Sequence, residues 1–172
     1  MSTVANLDAA VLGRVVVAVE ATHRFDIYGV AASAVVAADL QQRLHRTGLV
    51  AFAWSDLHPA LPSAAHRSPR DAAIAISYSV TTVDTIEALG QAKDTGATTV
   101  AITDFSKSAV SEVADILVRM TVSETASRSG AMARWIAELI VVHCVFTAVA
   151  KRRYEGTVSR EAIRARHRRH RC

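Results

Sequence analysis

Cysteine, aromatic residues and unbroken apolar runs are all scarce in this chain of 172 residues, and each scarcity excludes a class of protein. Two cysteines, Cys144 and Cys172, cannot build the disulfide framework of a small secreted domain. No uninterrupted apolar run reaches the ~18 residues that a membrane-spanning helix needs. We therefore expect a cytoplasmic protein with no membrane partner.

Cofactor fingerprints, metal-ligand clusters and catalytic triads are also missing from the sequence, so we expect no cofactor and no metal. Hydrophobic residues make up 51% of the chain and charged residues 21%, which is typical of a folded globular protein. The length fits one domain with a single core.

The net charge of +4 is unevenly distributed along the chain. Residues 151–172 hold nine Lys or Arg and two Glu, a net of +7, which leaves −3 for residues 1–150. We accordingly divide the chain into a domain over residues 1–155, which includes an N-terminal linker helix, and a basic C-terminal helix or tail over residues 156–172.

Direct contact between that basic tail and nucleic acid is the last of three functions that we consider. Arg160, Arg164 and Arg168 lie four residues apart and share one face of a helix. No aromatic residue follows Tyr154 to stack on bases. A solvated helix or frayed tail explains the same charges.

Short β-rich segments alternate with longer helical segments along the chain. The predicted strands are Arg24–Gly29, Leu49–Trp54, Ala72–Ser77, Thr98–Thr103 and Asp115–Met120. The predicted helices are Leu7–Ala21, Ala32–Arg46, Leu57–His66, Val83–Thr95, Ser108–Ala114 and Gly130–Ala150. This alternation predicts an α/β fold, a three-layer α/β/α sandwich around a five-stranded parallel sheet.

Ligands of such open sheets bind beyond the carboxyl ends of the strands. Three predicted loops lie there: Gly29–Ser33, Ser77–Thr82 and the segment after Met120. Hydroxyl groups are dense in Ser77–Thr82, and a helix N-terminus offers free N–H groups to a phosphate without any lysine. Ser and Thr are equally ordinary as helix N-caps, so this loop alone leaves both interpretations open.

The loop after Met120 adds Glu124, Arg128 and Ser129 to the same end of the sheet. A carboxylate and a guanidinium beside hydroxyl groups suit the hydroxyls and carbonyl of a sugar. They suit a helix N-cap beside a surface ion pair just as well.

Five segments, in this order and spacing, resemble one known family. They are IYGVAAS, SDLH, AIAISYSVTT, VAITDFSKSAVSEVAD and ETASRSGAM, and they resemble the sugar isomerase (SIS) domain of RpiR-type transcriptional regulators over about residues 7–155. The resemblance implies a flavodoxin-like sandwich, a homodimer or tetramer, and a sugar phosphate as effector.

The resemblance also implies roles for residues at matching positions. Ser77, Ser79 and Thr82 are similar to the family's phosphate-binding hydroxyls, with Tyr78 in the same loop. Ser33 is similar to the serine that contacts the sugar from the first strand-to-helix turn.

Glu124 occupies the position from which SIS isomerases draw an acid or base, and Arg128 and Ser129 are similar to residues at the pocket rim. We expect a phosphosugar-binding domain of a transcriptional regulator rather than an enzyme. The alternative is a stand-alone aldose-ketose isomerase of phosphosugars with Glu124 as its base.

Three departures from the family pattern matter. Val80 and Ala31 stand where the family usually has glycine. RpiR-type regulators carry a helix-turn-helix domain before the SIS domain, whereas this chain begins at the linker helix. We therefore expect DNA contact only through such a missing N-terminal domain, and weakly at most through the basic tail.

The helix predicted over Gly130–Ala150 is apolar nearly all round, so it carries more hydrophobic surface than one sheet face can cover. The helix at the start of the chain has a similar stripe. We expect at least a homodimer with these two helices in its interface.

Replacing Val80 by glycine is expected to strengthen phosphosugar binding, because a β-branched residue tolerates positive φ poorly and blocks close backbone approach to an anion. The gain should be several-fold, about 1 kcal/mol. Calorimetric titration of both proteins measures it, and equal affinities would mean that the loop does not cradle phosphate.

Overall fold

The computed structural model describes residues 7–77, 83–104, 109–120 and 128–169, with the backbone alone for residues 128–131 and 157–169. The strands are β1 (Phe25–Tyr28), β2 (Ala51–Trp54), β3 (Ala72–Ile76), β4 (Thr98–Thr103) and β5 (Ile116–Arg119). The helices are α1 (Ala9–Ala21), α2 (Ala32–His45), α3 (Leu57–Ala65), α4 (Val83–Asp94), α5 (Ala109–Val113) and α6 (Arg128–Arg169). Predicted and observed elements agree in type and order.

All five strands form one parallel sheet in the order β2-β1-β3-β4-β5. The predicted three-layer α/β fold and its flavodoxin-like strand order are confirmed. The strand order reverses between β1 and β3, which is where open α/β sheets hold their ligands. Strand β3, AAIAI, is buried at every position, as expected of a central strand covered on both faces.

Each face of the sheet has its own hydrophobic core. On one face, α1, α2 and α6 pack their apolar stripes together, with Val15, Leu40 and Val141 fully buried. On the other face, α3, α4 and α5 pack mainly through alanines such as Ala64 and Ala92. The small side chains on this second face let the helices approach the sheet closely.

Helix α6 is longer than the predicted Gly130–Ala150, because it continues without interruption to Arg169. Its later part is rich in Arg, a strong helix former, and the single Gly156 does not stop it. By length and composition Met132–Gly156 could cross a membrane. Within this domain the buried apolar residues of that segment form a wall of the core, namely Ala137, Val141, Val142, Val145 and Val149.

A buried carboxylate ties β1 to α3. Asp26 is fully buried, and its oxygens accept hydrogen bonds from Arg24 Nε at 3.0 Å and from the Ser63 hydroxyl at 2.6 Å. Arg67 Nε lies 3.7 Å from the same carboxylate, and its side chain is only 7% exposed. Two cations and a hydroxyl therefore compensate the cost of burying this charge.

Substituting Asp26 by alanine is expected to cost about 3–5 kcal/mol, since the nearly buried Arg67 would lose its counter-charge. The matched control is Asp39→Ala, because the ion pair between Asp39 and Arg43 within α2 is about a third exposed. That change should cost less than ~1 kcal/mol. Urea denaturation gives both values, and similar losses for the two variants would contradict this account of Asp26.

Candidate functional site at the carboxyl edge of the sheet

The turn between β1 and α2 requires glycine at its first position. A Cβ on Gly29 would lie 2.6 Å from the carbonyl oxygen of Ser33, which no real Cβ contact tolerates. The N–H of Gly29 donates to the carbonyl of Trp54 at 3.1 Å, so the turn starts in register with β2. This close approach sets the first turn of α2 directly against the end of β1.

Ala31 has a strained backbone conformation in the same turn. Its φ is +55° and its ψ −121°, in a region that side chains other than glycine rarely adopt. Such strain costs of order 1–3 kcal/mol at one residue. The structure thus shows a strained backbone at Ala31, the position where the sequence resemblance leads us to expect glycine.

Ser33 in the first turn of α2 is buried and faces a carboxylate. Its hydroxyl donates to Glu138, with Oγ 2.9 Å from Oε1 and 3.2 Å from Oε2. Glu138 lies on α6 and is fully buried. The contact therefore bridges the start of α2 and the early part of α6, close to the carboxyl edge of the sheet.

Burial raises the pKa of Glu138 to about 7. The hydrogen bond from Ser33 opposes this rise, and the negative charge of Asp104 adds to it. Asp104 follows the end of β4 and pairs with Arg134 of α6 at 3.4 Å. Glu138 is therefore an acid whose charge changes near neutral pH.

Glu138 was not among the residues predicted from the sequence. It is a single charged residue within the apolar segment WIAELIVV of α6, and that isolation was the available signal. Nothing in the pattern indicated that α2 would bring a serine to it.

Ser77 lies at the end of β3, as predicted. It is 3% exposed, and its N–H donates to the carbonyl of Ile102 at 3.1 Å, which continues the pairing with β4. Strands β1 and β3 are hydrogen-bonded neighbours, with Tyr28 opposite Ala75. Ser33 and Ser77 therefore follow the ends of adjacent strands at the switch point of the sheet.

Four predicted site residues lie outside the described residues, namely Tyr78, Ser79, Thr82 and Glu124. Val80 lies outside them too. Arg128 and Ser129 begin α6, but only their backbone is described. Of the predicted set, the structure thus gives the side-chain surroundings of Ser33 and Ser77, and the roles of the others stay predictions.

A second polar cluster lines a small cavity on the α3–α4 side of the same edge. The Trp54 indole N–H and the Thr85 hydroxyl are buried with no hydrogen-bond partner in the described part of the chain, and the buried Tyr28 hydroxyl lies beside them. Burial and the nearby charge of Asp26 raise the pKa of Tyr28, which keeps the phenol neutral. The cavity measures about 10 Å³, room for about one water molecule that could satisfy these groups.

A much larger groove of about 670 Å³ lies at the opposite, amino edge of the sheet, between α1, α2 and α6. Two of the arginines that line it bind the protein itself: Arg152 pairs with Glu20 at 2.6 Å, and Arg153 donates to the carbonyl of Thr47 at 2.9 Å. The groove is also far from the strand ends where α/β folds place ligands. We therefore place the candidate site at the carboxyl edge, despite its smaller volume.

Metal ligands are not grouped in the described ranges. Among residues 7–77, 83–104, 109–120 and 128–169, no set of three or more His, Cys, Asp or Glu side chains could hold a metal ion. The described side chains at the edge supply hydroxyl groups, carboxylates and the Arg134 guanidinium, which suit a ligand with many hydrogen-bonding groups.

Residues 19–148 match the family model of the SIS domain. The chain is 38% identical over 157 residues to an uncharacterized HTH-type transcriptional regulator of Caldanaerobacter subterraneus subsp. tengcongensis, covering 91% of this chain and 56% of that protein. It is 28% identical over 126 residues to the HTH-type transcriptional regulator RpiR of Escherichia coli, covering 73% and 43%. The chain thus spans about half the length of these relatives.

Solved structures give the same picture. The Vibrio vulnificus NanR protein complexed with ManNAc-6P superposes with a TM-score of 0.81 and 27% identity, covering 92% of this chain and 63% of that one. The sugar isomerase domain of an RpiR transcription factor from Sphaerobacter thermophilus has a TM-score of 0.75 at 24% identity, covering 95% and 90%, which supports the fold.

Replacing Ala31 by glycine is expected to stabilise the domain by about 1 kcal/mol, because relief of the positive-φ strain outweighs the extra chain entropy of glycine. The matched control is Ala38→Gly in the exposed middle of α2, which should cost ~1 kcal/mol. Thermal and urea unfolding measure both changes. A loss of stability in both variants would show that Ala31 is not strained.

Proposed function

This chain belongs to the SIS domain family, and from that premise we propose that it is the effector-binding domain of an RpiR-like transcriptional regulator and that its effector is a sugar phosphate. The observation that carries the proposal is the likeness to NanR, whose solved complex holds ManNAc-6P and which matches nearly the whole chain. The regulators among its relatives support the same role.

The carboxyl edge of the sheet is the proposed binding site. Two buried serines, Ser33 and Ser77, follow adjacent strands there, and α4 begins at Val83, just after the hydroxyl-rich loop. We assign the phosphate to Ser77, Ser79 and Thr82 together with the backbone N–H groups at the start of α4.

The remaining predicted residues surround the sugar in this proposal. Ser33 contacts the sugar from the first turn of α2, and Tyr78 flanks it from the phosphate loop. Glu124, Arg128 and Ser129 close the pocket from the segment that leads into α6. The phosphate is thus met by neutral hydroxyl and N–H donors, while Arg128 adds a positive charge at the rim of the pocket.

Two further parts of the proposal concern the whole regulator. DNA recognition would belong to a helix-turn-helix domain, since the relatives are HTH-type regulators about twice as long as this match, and we expect the protein in the cytoplasm. We also propose a homodimer through α1 and α6, on which Val17 is 50% exposed and Ile136 is 45% exposed. A monomer in sedimentation at micromolar concentration would rule that dimer out.

Titration with sugar phosphates is the direct test of this function. ManNAc-6P, held in the NanR complex, and A5P, held in the complex of the E. coli CFT073 protein c3406 (TM-score 0.74, 20% identity), should raise the melting temperature. A ligand at 100 times its Kd adds about 2.7 kcal/mol to the unfolding free energy. The same sugars without phosphate should give no shift. Ser77→Ala should weaken binding about five-fold or more, the loss of one hydrogen bond.

The control variant is Thr95→Ala. The Thr95 hydroxyl donates to the carbonyl of Ala92 at the far end of α4, so its removal should not affect binding. If neither sugar phosphate at millimolar concentration shifts the melting temperature, the proposal is wrong. If the protein converts the sugar phosphate into its isomer and the variant Glu124→Gln does not, the isomerase alternative replaces the proposed function.

A further inference from the structure

The hydrogen bond between Ser33 and Glu138 fixes the direction in which Ser33 can interact. A hydroxyl group carries one proton and two lone pairs, whereas an ionised carboxylate can only accept. Both oxygens of Glu138 lie within 3.2 Å of the Ser33 oxygen, so the proton of Ser33 is committed to Glu138 when that acid is ionised. Only lone pairs of Ser33 are then available to anything else.

Burying this glutamate for helix packing alone would lower the stability of the fold. Glu138 is fully buried in an apolar segment of α6, and Ser33 supplies the hydrogen bonds that it receives in the described part of the chain. The Asp26 carboxylate, by contrast, is held by two arginines and a hydroxyl. A buried charge with so little compensation is costly to maintain, and it stands directly behind a residue of the proposed site.

The charged groups of the elements that surround Glu138 lie after β4 and on α2, α6 and α1. Asp104 follows β4 and is paired with Arg134, which lies one turn before Glu138 on α6. Further along the contact between α2 and α6, Arg43 holds Asp39 and its NH1 lies 3.3 Å from His143 Nδ1.

The third helix of that core, α1, packs against α6 through its valines, and its Glu20 pairs with Arg152, fourteen residues beyond Glu138 on α6. Asp104 is thus the described carboxylate whose charge acts on Glu138.

We infer that Glu138 is a positioning residue that makes the Ser33 hydroxyl a hydrogen-bond acceptor toward the effector. The inference rests on the proposed function and deepens it. Ser33 then recognises a donor of the ligand, a sugar hydroxyl or an amide N–H, and contributes nothing to the phosphate oxygens. The phosphate belongs, in the proposed function, to the loop that follows Ser77. The protein therefore donates hydrogen bonds to the phosphate end of the ligand and accepts one, through Ser33, from the sugar end.

Protonation of Glu138 removes this constraint. A neutral carboxylic acid can donate to Ser33 as well as accept from it, so the serine hydroxyl no longer has one fixed direction. The preference for a donor on the ligand is therefore strongest above neutral pH and fades below it. Glutamine at this position reproduces the protonated state at every pH, because its amide also both donates and accepts.

The test measures the Kd of ManNAc-6P and of A5P at pH values from 5.5 to 8.5 for the wild type, Glu138→Gln and Asp94→Asn. Titration of the ligand phosphate affects all three proteins equally and cancels in ratios of affinity. The affinity of the wild type divided by that of Glu138→Gln should rise from about one at low pH to about five or more at high pH. A five-fold difference corresponds to the loss of about one hydrogen bond.

Asp94 is an exposed carboxylate at the end of α4 remote from the site, so the ratio for its variant should stay at one. In a Ser33→Ala background, Glu138→Gln should have no effect on either affinity. This double mutant separates positioning of Ser33 from any general effect of Glu138 on folding, because a folding effect would persist without the serine.

A pH-independent ratio, or an unchanged effect of Glu138→Gln without Ser33, would overturn the inference while leaving the proposed function in place. If neither sugar phosphate binds the wild type at millimolar concentration, the proposed function falls, and the inference falls with it.

Discussion

Parallel pairing of the five strands is the constraint on which the rest of this structure depends. Because neighbouring strands run in the same direction, every strand must be followed by a crossover, and every turn out of a strand emerges at the same edge. Both faces of the sheet are then covered by helices, which leaves that edge as the place where polar groups from distant parts of the sequence meet. Ser33, Ser77 and Asp104 reach the edge for this reason alone.

Two carboxylates are fully buried among the described residues, Asp26 and Glu138, and their surroundings differ. Asp26 is surrounded by Arg24, Arg67 and Ser63, which fasten β1 to α3. Glu138 has the Ser33 hydroxyl and no described cation in contact, and burial raises its pKa to about 7. A fold that needed only a helix contact could use an apolar residue there at lower cost. The poorly compensated acid at the edge is therefore the group whose presence ligand recognition explains best.

Much of the fold could be predicted from the sequence, since apolar segments such as AAIAI and TTVAI have the length and composition of buried strands and glycine follows Tyr28 where β1 ends. A basic helix or tail over residues 156–172 was among the predictions, but its continuity with the helix Gly130–Ala150 was not, because the charged segment has no apolar periodicity to link the two. The contact between Ser33 and Glu138 could not be predicted either, since the two residues are 105 positions apart and meet only when α2 and α6 pack on one face of the sheet.

The central claim is that a sugar phosphate binds at the carboxyl edge, and the location of the bound ligand tests it most directly. An NMR titration of the isotope-labelled protein with ManNAc-6P follows the backbone amide of each residue. The account predicts that the largest shifts occur at Gly29, Ser33 and Ser77, with little change around Arg46 and Arg152. Shifts confined to the arginine-lined groove at the amino edge would contradict it.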